Sequence, residues 1–299
     1  MKFFISTGYA DPDEVVLVGR AAEDAGIDGI SFADHLFFPT ERTTSYPYSG
    51  DGSLPFSLDT SWPDVFVLVG ALATATTRLE FLTHVYILPL RHPLAVAKSA
   101  ATAAVLSNNR LLLGVGVGWM REEFDTLGAP FHRRGRITET SIGILREIWT
   151  TGAMREYHDD DFDIPALVMR PVPTVPVPIL VGGESERALE RAARLGDGFV
   201  TLKHATHEKL LSVIDDMRAR VRRHGRDPDD FHINARASDQ VKTDELASLA
   251  DRSVASLRFS LWPPEERRVD VKLAAIERFA NEVVEPYRRQ AGSPSSHHP

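Results

Sequence analysis

Arg110-Leu-Leu-Leu-Gly-Val-Gly-Val-Gly-Trp-Met-Arg-Glu-Glu-Phe-Asp-Thr-Leu-Gly128 is the stretch from which the fold can be read. It opens as an apolar run, which predicts a buried strand. Gly114, Gly116 and Gly118 then alternate with Val115 and Val117. Alternate residues share one face of a strand, so one face here carries no side chains. Such a face admits a close neighbour: either a flat ligand or another part of a crowded barrel. Trp119, Glu122, Glu123 and Phe124 follow at once, so the strand feeds a polar and aromatic loop or helix. A dinucleotide fingerprint would need glycine where the chain has Trp119, so a Rossmann reading fails.

Outward from this stretch, strand and helix alternate from end to end. Strands are predicted at Lys2–Thr7, Gly29–Asp34, Leu79–Ile87, the glycine strand, Ile179–Val181, Gly198–Leu202, His232–Ala237 and Val254–Leu261. Helices are predicted at Asp13–Ala25, Pro63–Thr76, Pro93–Leu106, Arg133–Thr150, Ser185–Leu195, His207–Arg223, Thr243–Ala250 and Asp270–Arg289. Eight such units in 299 residues predict an α/β fold, a (β/α)8 TIM barrel. An open doubly wound sheet is the alternative, because periodicity does not show closure. Ala25-Gly-Ile-Asp-Gly-Ile30 and Leu195-Gly-Asp-Gly-Phe199 echo each other as helix stop, Asp-Gly, then strand. One domain is expected over 1–290, with a disordered tail over 291–299.

Two stretches exceed ordinary loop length. Phe37–Trp62 carries aromatics, glycines and prolines after the second strand, and reads as a lid at the C-terminal face of the barrel. Gly152–Pro178 is an insertion with an acidic run, Asp159-Asp160-Asp161 and Asp163. It lacks calcium-loop spacing and reads as a solvated surface loop.

Composition is that of an ordinary globular chain, 43% hydrophobic and 25% charged. A formal charge of −8 argues against nucleic acid or an anionic membrane as main partner. Without cysteine there are no disulfides or thiolate-bound metals. Lys2 leads straight into Phe3-Phe4-Ile5 with no signal-peptide pattern, so the cytoplasm is the expected compartment.

Barrel enzymes work at the C-terminal ends of their strands. Those ends carry Asp34-His35, His84-Val85, Val117-Gly118-Trp119, Gly182-Gly183-Glu184, Lys203-His204, Arg236 and Trp262. Gly182-Gly183 before a helix reads as an anion cradle or a plain turn. His35 reads as a proton donor near neutral pH, or as a residue that only tethers the lid. There is no Gly-x-Ser-x-Gly elbow, no His-Glu-x-x-His pair and no P-loop. The pattern points to an organic cofactor rather than a metal.

With these residues in view, the chain resembles the bacterial luciferase-like superfamily of flavin and deazaflavin barrels, most of all its coenzyme F420-dependent oxidoreductases. Ser31-Phe-Ala-Asp-His35, Leu88-Pro-Leu-Arg-His-Pro93, Leu113–Gly128, Phe131-His-Arg-Arg-Gly-Arg136 and Pro178-Ile-Leu-Val-Gly-Gly183 carry the resemblance, which is weak beyond Leu202. It implies hydride transfer between F420 and a small organic substrate at a ring over the barrel mouth. Flavin mononucleotide (FMN) is the alternative cofactor, with monooxygenation as its activity; a non-catalytic cofactor-binding barrel is a third reading. It implies a cis peptide between His84 and Val85 backing the ring, Asp34 beside the ring or its tail, and His35 as proton donor. It implies cofactor contacts at Val117, Gly118 and Glu122, and a phosphate turn at Gly182, Gly183, Glu184 and Glu186. The sugar-phosphate dehydrogenases of this branch carry a glutamate where Trp119 stands. That departure argues against a sugar phosphate, and Trp119 suits an apolar or aromatic substrate. A homodimer is expected.

Overall fold

The computed structural model describes residues 1–7 and 11–291. Eight parallel strands form its centre: β1 Lys2–Ser6, β2 Gly29–Phe32, β3 Glu80–Thr83, β4 Leu111–Gly116, β5 Ile179–Gly182, β6 Gly198–Val200, β7 His232–Arg236 and β8 Ser256–Phe259. Each pairs with the next, and β8 pairs with β1 through Phe3 and Leu257. β4 also pairs with β5, Leu113 opposite Ile179, so the ring closes and the open-sheet alternative falls. The helices are α1 Val15–Asp24, α2 Val65–Ala75, α3 Pro93–Leu106, α4 Arg121–Thr126, α5 Arg134–Thr151, α6 Glu186–Leu195, α7 His207–Arg223, α8 Thr243–Ala250, α9 Val269–Phe279 and α10 Glu285–Ala291. A π turn, Ala280–Val284, joins the last two. The helix reaches Ala291, and the rest of the expected tail lies outside the described residues.

Strand alternation divides the core in two. Phe3 and Ile5 of β1 face outward into the large core shared with the helices. Phe4 faces inward and meets Leu82, Leu112, Leu180 and Val200 in a separate apolar plug inside the barrel. Gly29 is glycine because a Cβ there would lie 2.2 Å from the Phe4 ring.

The sequence echo has a structural counterpart. Asp28 accepts a hydrogen bond from Phe3 N–H at 2.7 Å, and Asp197 accepts one from Ile179 N–H at 2.8 Å. Each carboxylate, placed just before one strand, pins the start of its neighbour. Arg288 pairs with Asp28 and Arg146 with Asp197.

The third predicted strand is broken: β3 ends at Thr83, and Tyr86–Ile87 resume beside β4. The His84–Val85 peptide between them is cis, as the resemblance implies. The insertion 152–178 holds two small antiparallel pairs, Ala153–Met154 with Leu167–Val168 and Tyr157–His158 with Asp163–Ile164. Its acidic run is engaged by protein cations: Asp161 pairs with Arg133 at 2.9 Å, and Asp160 with Arg136 at 3.1 Å. Among the described residues no helix is long and apolar enough to cross a membrane.

Candidate active site

The glycine face of β4 is filled by the chain itself. A Cβ on Gly114 would lie 2.0 Å from the Thr83 carbonyl oxygen, and one on Gly116 would lie 2.4 Å from a Val85 methyl. One on Gly118 would lie 2.7 Å from Ile87, and Gly118 also has φ +76°. Residues 83, 85 and 87 thus seat against 114, 116 and 118. Gly182 of β5 accommodates Val85 from the other side, a Cβ there meeting its second methyl at 2.7 Å. Val85 therefore stands as a small apolar platform between β4 and β5 at the mouth. Val117 follows in the same crossing, half-buried.

His35 lies where β2 leads into the lid, against the segment that follows β4. Its Nδ1 is 3.0 Å from Glu123 Oε2, and Glu123 is fully buried on α4. The other Glu123 oxygen accepts the Leu36 N–H at 2.6 Å. Trp119 Nε1 lies 3.3 Å from His35 Nε2. An indole N–H only donates, so Nε2 accepts and the ring proton sits on Nδ1, donated to Glu123. His35 is thus held between Glu123 on one side and Trp119 on the other, with Nε2 aimed at the indole.

The lid covers this pair. Phe38, Phe56 and Trp62 pack edge-on or tilted at 4.9–5.1 Å between centroids, and His35 packs on Phe38 at 4.6 Å. Tyr46 and Arg42 of the lid contact Trp119 at 5.2 and 5.3 Å. Glu122 fastens the lid: its Oε1 accepts from Thr43 N–H and hydroxyl at 2.7 Å and from Thr44 N–H at 2.9 Å. Burial opposes its ionisation, but those donors hold its pKa at about 2.

Asp34 turns away from His35. It accepts two hydrogen bonds from Arg91, both at 2.6 Å, and one from Ile87 N–H at 2.8 Å. Burial pushes its carboxyl up, and Arg91 opposes that. Asp34 thereby anchors the Tyr86–Ile87 segment beside β4. Sequence reasoning missed both Arg91 as this anchor and Glu123 as the partner of His35.

At the β5 turn, Gly183 has φ +104°, a conformation that favours glycine. Ser185 caps α6 by accepting the Ala188 N–H. Glu184 points to the end of β6, accepting from Leu202 N–H at 2.8 Å and lying 3.0 Å from His204 Nε2. Glu186 points to α7, where Arg220 binds it twice, at 2.6 and 2.8 Å. Both carboxylates thus bond to neighbouring elements and not to the Gly182–Gly183 turn.

The β7–β8 side is polar. His232 and Asn234 both bond Ser256 Oγ, at 2.9 and 2.8 Å. Asn234 also accepts from Arg258, and Arg258 donates to the Thr201 carbonyl at 3.1 Å. Arg236 donates to the Ala237 carbonyl and pairs with Asp239 at 2.9 Å. His84 faces this side: burial, Arg258 and Arg236 push its imidazole well below the ordinary value, so it is neutral. A cavity of about 530 Å³ opens here, lined by Ser6, Pro55, Lys203, Arg236, Asp239 and Trp262 among others.

These features are those of a luciferase-like barrel, and the comparisons agree. The model of the luciferase-like monooxygenase family matches residues 3–292. The chain belongs to that family. An uncharacterized protein of Mycobacterium tuberculosis is 34% identical over 292 residues, covering 95% of this chain and 99% of that protein. The F420-dependent glucose-6-phosphate dehydrogenase of Microbacterium testaceum is 27% identical, over 94% of this chain and 78% of that enzyme. Among solved structures, a monooxygenase of Streptomyces bottropensis superposes with a TM-score of 0.75 at 16% identity, covering 96% of this chain and 100% of that one. An F420-dependent secondary alcohol dehydrogenase gives 0.72 at 16% identity, covering 94% and 98%. At such identities these two structures speak for the fold.

Proposed function

We propose that this chain is a two-electron oxidoreductase that uses coenzyme F420 and acts on a small organic substrate bearing a hydroxyl or carbonyl group. The observation that carries the reading is His35, its Nδ1 backed by the buried Glu123 and its Nε2 presented under the lid. The F420-dependent glucose-6-phosphate dehydrogenase among its relatives favours this cofactor over FMN.

The residues present fit a planar cofactor with a phosphate tail. Val85, seated over Gly116 and Gly182, offers an apolar surface for the ring. The Gly183 turn and the capped start of α6 offer N–H groups to a phosphate. When bound, the deazaflavin supplies the hydride acceptor or donor.

The chain's own part is proton handling and exclusion of water. A substrate hydroxyl reaching Nε2 replaces the Trp119 indole there. Nε2 takes its proton during oxidation, and the imidazolium returns it during reduction. Glu123 keeps the ring oriented and stabilises the imidazolium. Trp119 and the Phe38–Phe56–Trp62 cluster close the chamber with apolar walls, which suits an apolar body on the substrate.

Calorimetric titration with F420 and FMN, followed by turnover of His35→Ala, tests the reading. F420 should bind more tightly, and the variant should lose about a hundredfold or more in turnover with cofactor affinity little changed. A clear preference for FMN with oxygen uptake would replace the reading with flavin monooxygenation. Cofactor binding without turnover of any alcohol or carbonyl compound would leave a binding barrel.

A further inference from the structure

The segment after β4 and the lid after β2 meet at one side chain, Trp119. Its indole N–H is 3.3 Å from His35 Nε2, the nitrogen assigned to proton handling. Its ring lies 5.7 Å from the His35 ring and 5.2 Å from the Tyr46 ring, and the Arg42 guanidinium stands 5.3 Å over it. Arg42 and Tyr46 belong to a part of the lid that is tied to itself. Arg42 donates to the Thr44 carbonyl and, at 3.3 Å, to the Gly52 carbonyl, which also accepts from Tyr46 N–H at 3.1 Å. Residues 42–52 therefore form one compact turn that lies on the indole.

A second tie reaches this turn from the same segment. Glu122, three residues after Trp119, holds Thr43 and Thr44 through one oxygen. The segment itself is fixed, because Met120, Glu123 and Phe124 are fully buried. The lid is the part able to move: no residue from 37 to 59 is buried. A stretch with so little buried surface opens locally at far lower cost than the barrel unfolds.

We propose that Trp119 caps His35 in the resting protein and that the lid clamps this cap, so that opening of the 42–52 turn and release of Nε2 are one event. The indole N–H satisfies the nitrogen that a substrate hydroxyl would meet, so a closed lid keeps His35 out of reach. A hydrogen bond of 3.3 Å from a half-buried side chain is weak alone and depends on the packing around it. Lifting the turn takes Arg42 and Tyr46 off the indole and removes that packing. Conversely, the bond to His35 holds the indole where the turn can grip it, so each contact stabilises the other. That a substrate hydroxyl displaces the indole rests on reading His35 as the proton partner; the clamp does not.

Two reporters on the cofactor-free, full-length protein test the clamp. Hydrogen exchange at the Thr43 and Thr44 amides and at the Trp119 indole N–H, followed by NMR, measures opening of the turn and of the cap. Diethyl pyrocarbonate acylates an unprotonated imidazole nitrogen, and its rate at His35 measures access to the base, with the exposed His132 as internal reference. Glu122→Ala should speed exchange at all three N–H groups and acylation of His35 by the same factor, about tenfold. Trp119→Phe keeps a ring for Arg42 and Tyr46 but removes the N–H. It should speed amide exchange and His35 acylation together, by about fivefold. The Trp149 indole, buried and bonded to the Ala97 carbonyl, should keep its exchange rate in both variants, as the barrel stays folded. Amide exchange alone responding to Glu122→Ala, or acylation alone responding to Trp119→Phe, overturns the proposal. So do unchanged rates in both variants, or a wild-type His35 that is acylated as fast as His132. Failure of F420 to bind overturns the oxidoreductase reading and leaves these rates standing, whereas uncoupled rates in a protein that turns over with F420 overturn the clamp alone.

Discussion

Two walls of the same barrel mouth are built on opposite principles. On the β3–β5 side, Gly114, Gly116 and Gly182 have no side chains because the Thr83 carbonyl and the Val85 methyls occupy that space. On the β7–β8 side, Asn234, Arg236 and Arg258 fill a similar height with polar side chains bonded in series. The first wall is closed by van der Waals contact and tolerates no added atom. The second is bonded within itself, and Arg236 at its edge lines a cavity. Glycine makes room for a neighbouring segment, whereas buried arginine bonds oxygen atoms within its own wall.

The difference can be broken most sharply at Gly114. Its hypothetical Cβ meets a backbone atom, the Thr83 carbonyl oxygen, at 2.0 Å. Backbone inside a barrel cannot step aside, so Gly114→Ala should cost about 3 kcal/mol or more in a denaturation experiment. At Gly116 the obstacle is a Val85 methyl at 2.4 Å. Gly116→Ala should cost less and be largely rescued by Val85→Ala, giving a coupling that a double-mutant cycle detects. Additive effects at positions 85 and 116 would mean that the wall is not packed as described.

These two walls were also unequally legible in the sequence. The alternating glycines announce themselves, and the Asp28 and Asp197 echo reports a repeated pinning device. Closure of the barrel rests on the β4–β5 and β8–β1 pairings, which no local pattern encodes. Glu123 was hidden beside Glu122: both are acidic residues after the glycine strand, and only the turn of α4 sends one to His35 and the other to Thr43. Arg258 was hidden because an arginine in a short strand reads as an outward, solvated residue. Only the inside–outside parity of β8, with Leu257 and Phe259 facing the helices, places it in the barrel.

A smaller effect separates the walls by pH. Burial, with Lys2 adding to it, pushes the His232 imidazole down to about 4. The unfolded chain protonates this group near 6.5, so on acidification it takes up a proton before the folded chain does. Stability from this residue is therefore complete above about 6.5 and is lost as pH falls toward about 4, on the order of 3 kcal/mol. His232→Gln should flatten the stability profile in that window, measured as denaturant midpoint against pH. His84, also depressed, should leave a residual slope. An unchanged profile in the variant would mean that His232 is hydrated in the folded protein.

The smallest effect lies at the lid, which bridges the two walls. Glu122 holds Thr43 and Thr44 through three hydrogen bonds to one oxygen. Its pKa near 2 has the opposite sign to that of His232, because here the charged form is the one that is bound. The latch is thus fully engaged above about 4.5 and released as pH falls toward about 2. Glu122→Ala should speed hydrogen exchange at the Thr43 and Thr44 amides by about tenfold while barely moving the global melting midpoint, since local opening and global unfolding are separate events. Glu122→Gln keeps an acceptor oxygen but not the charge, and should fall between the two. The competing anchor is the Phe38–Phe56–Trp62 cluster, which grips the other end of the lid through apolar contact. Unchanged exchange in Glu122→Ala would assign lid closure to that cluster. The lid would then be held closed mainly by its aromatic end, over His35, rather than by the carboxylate after the glycine strand.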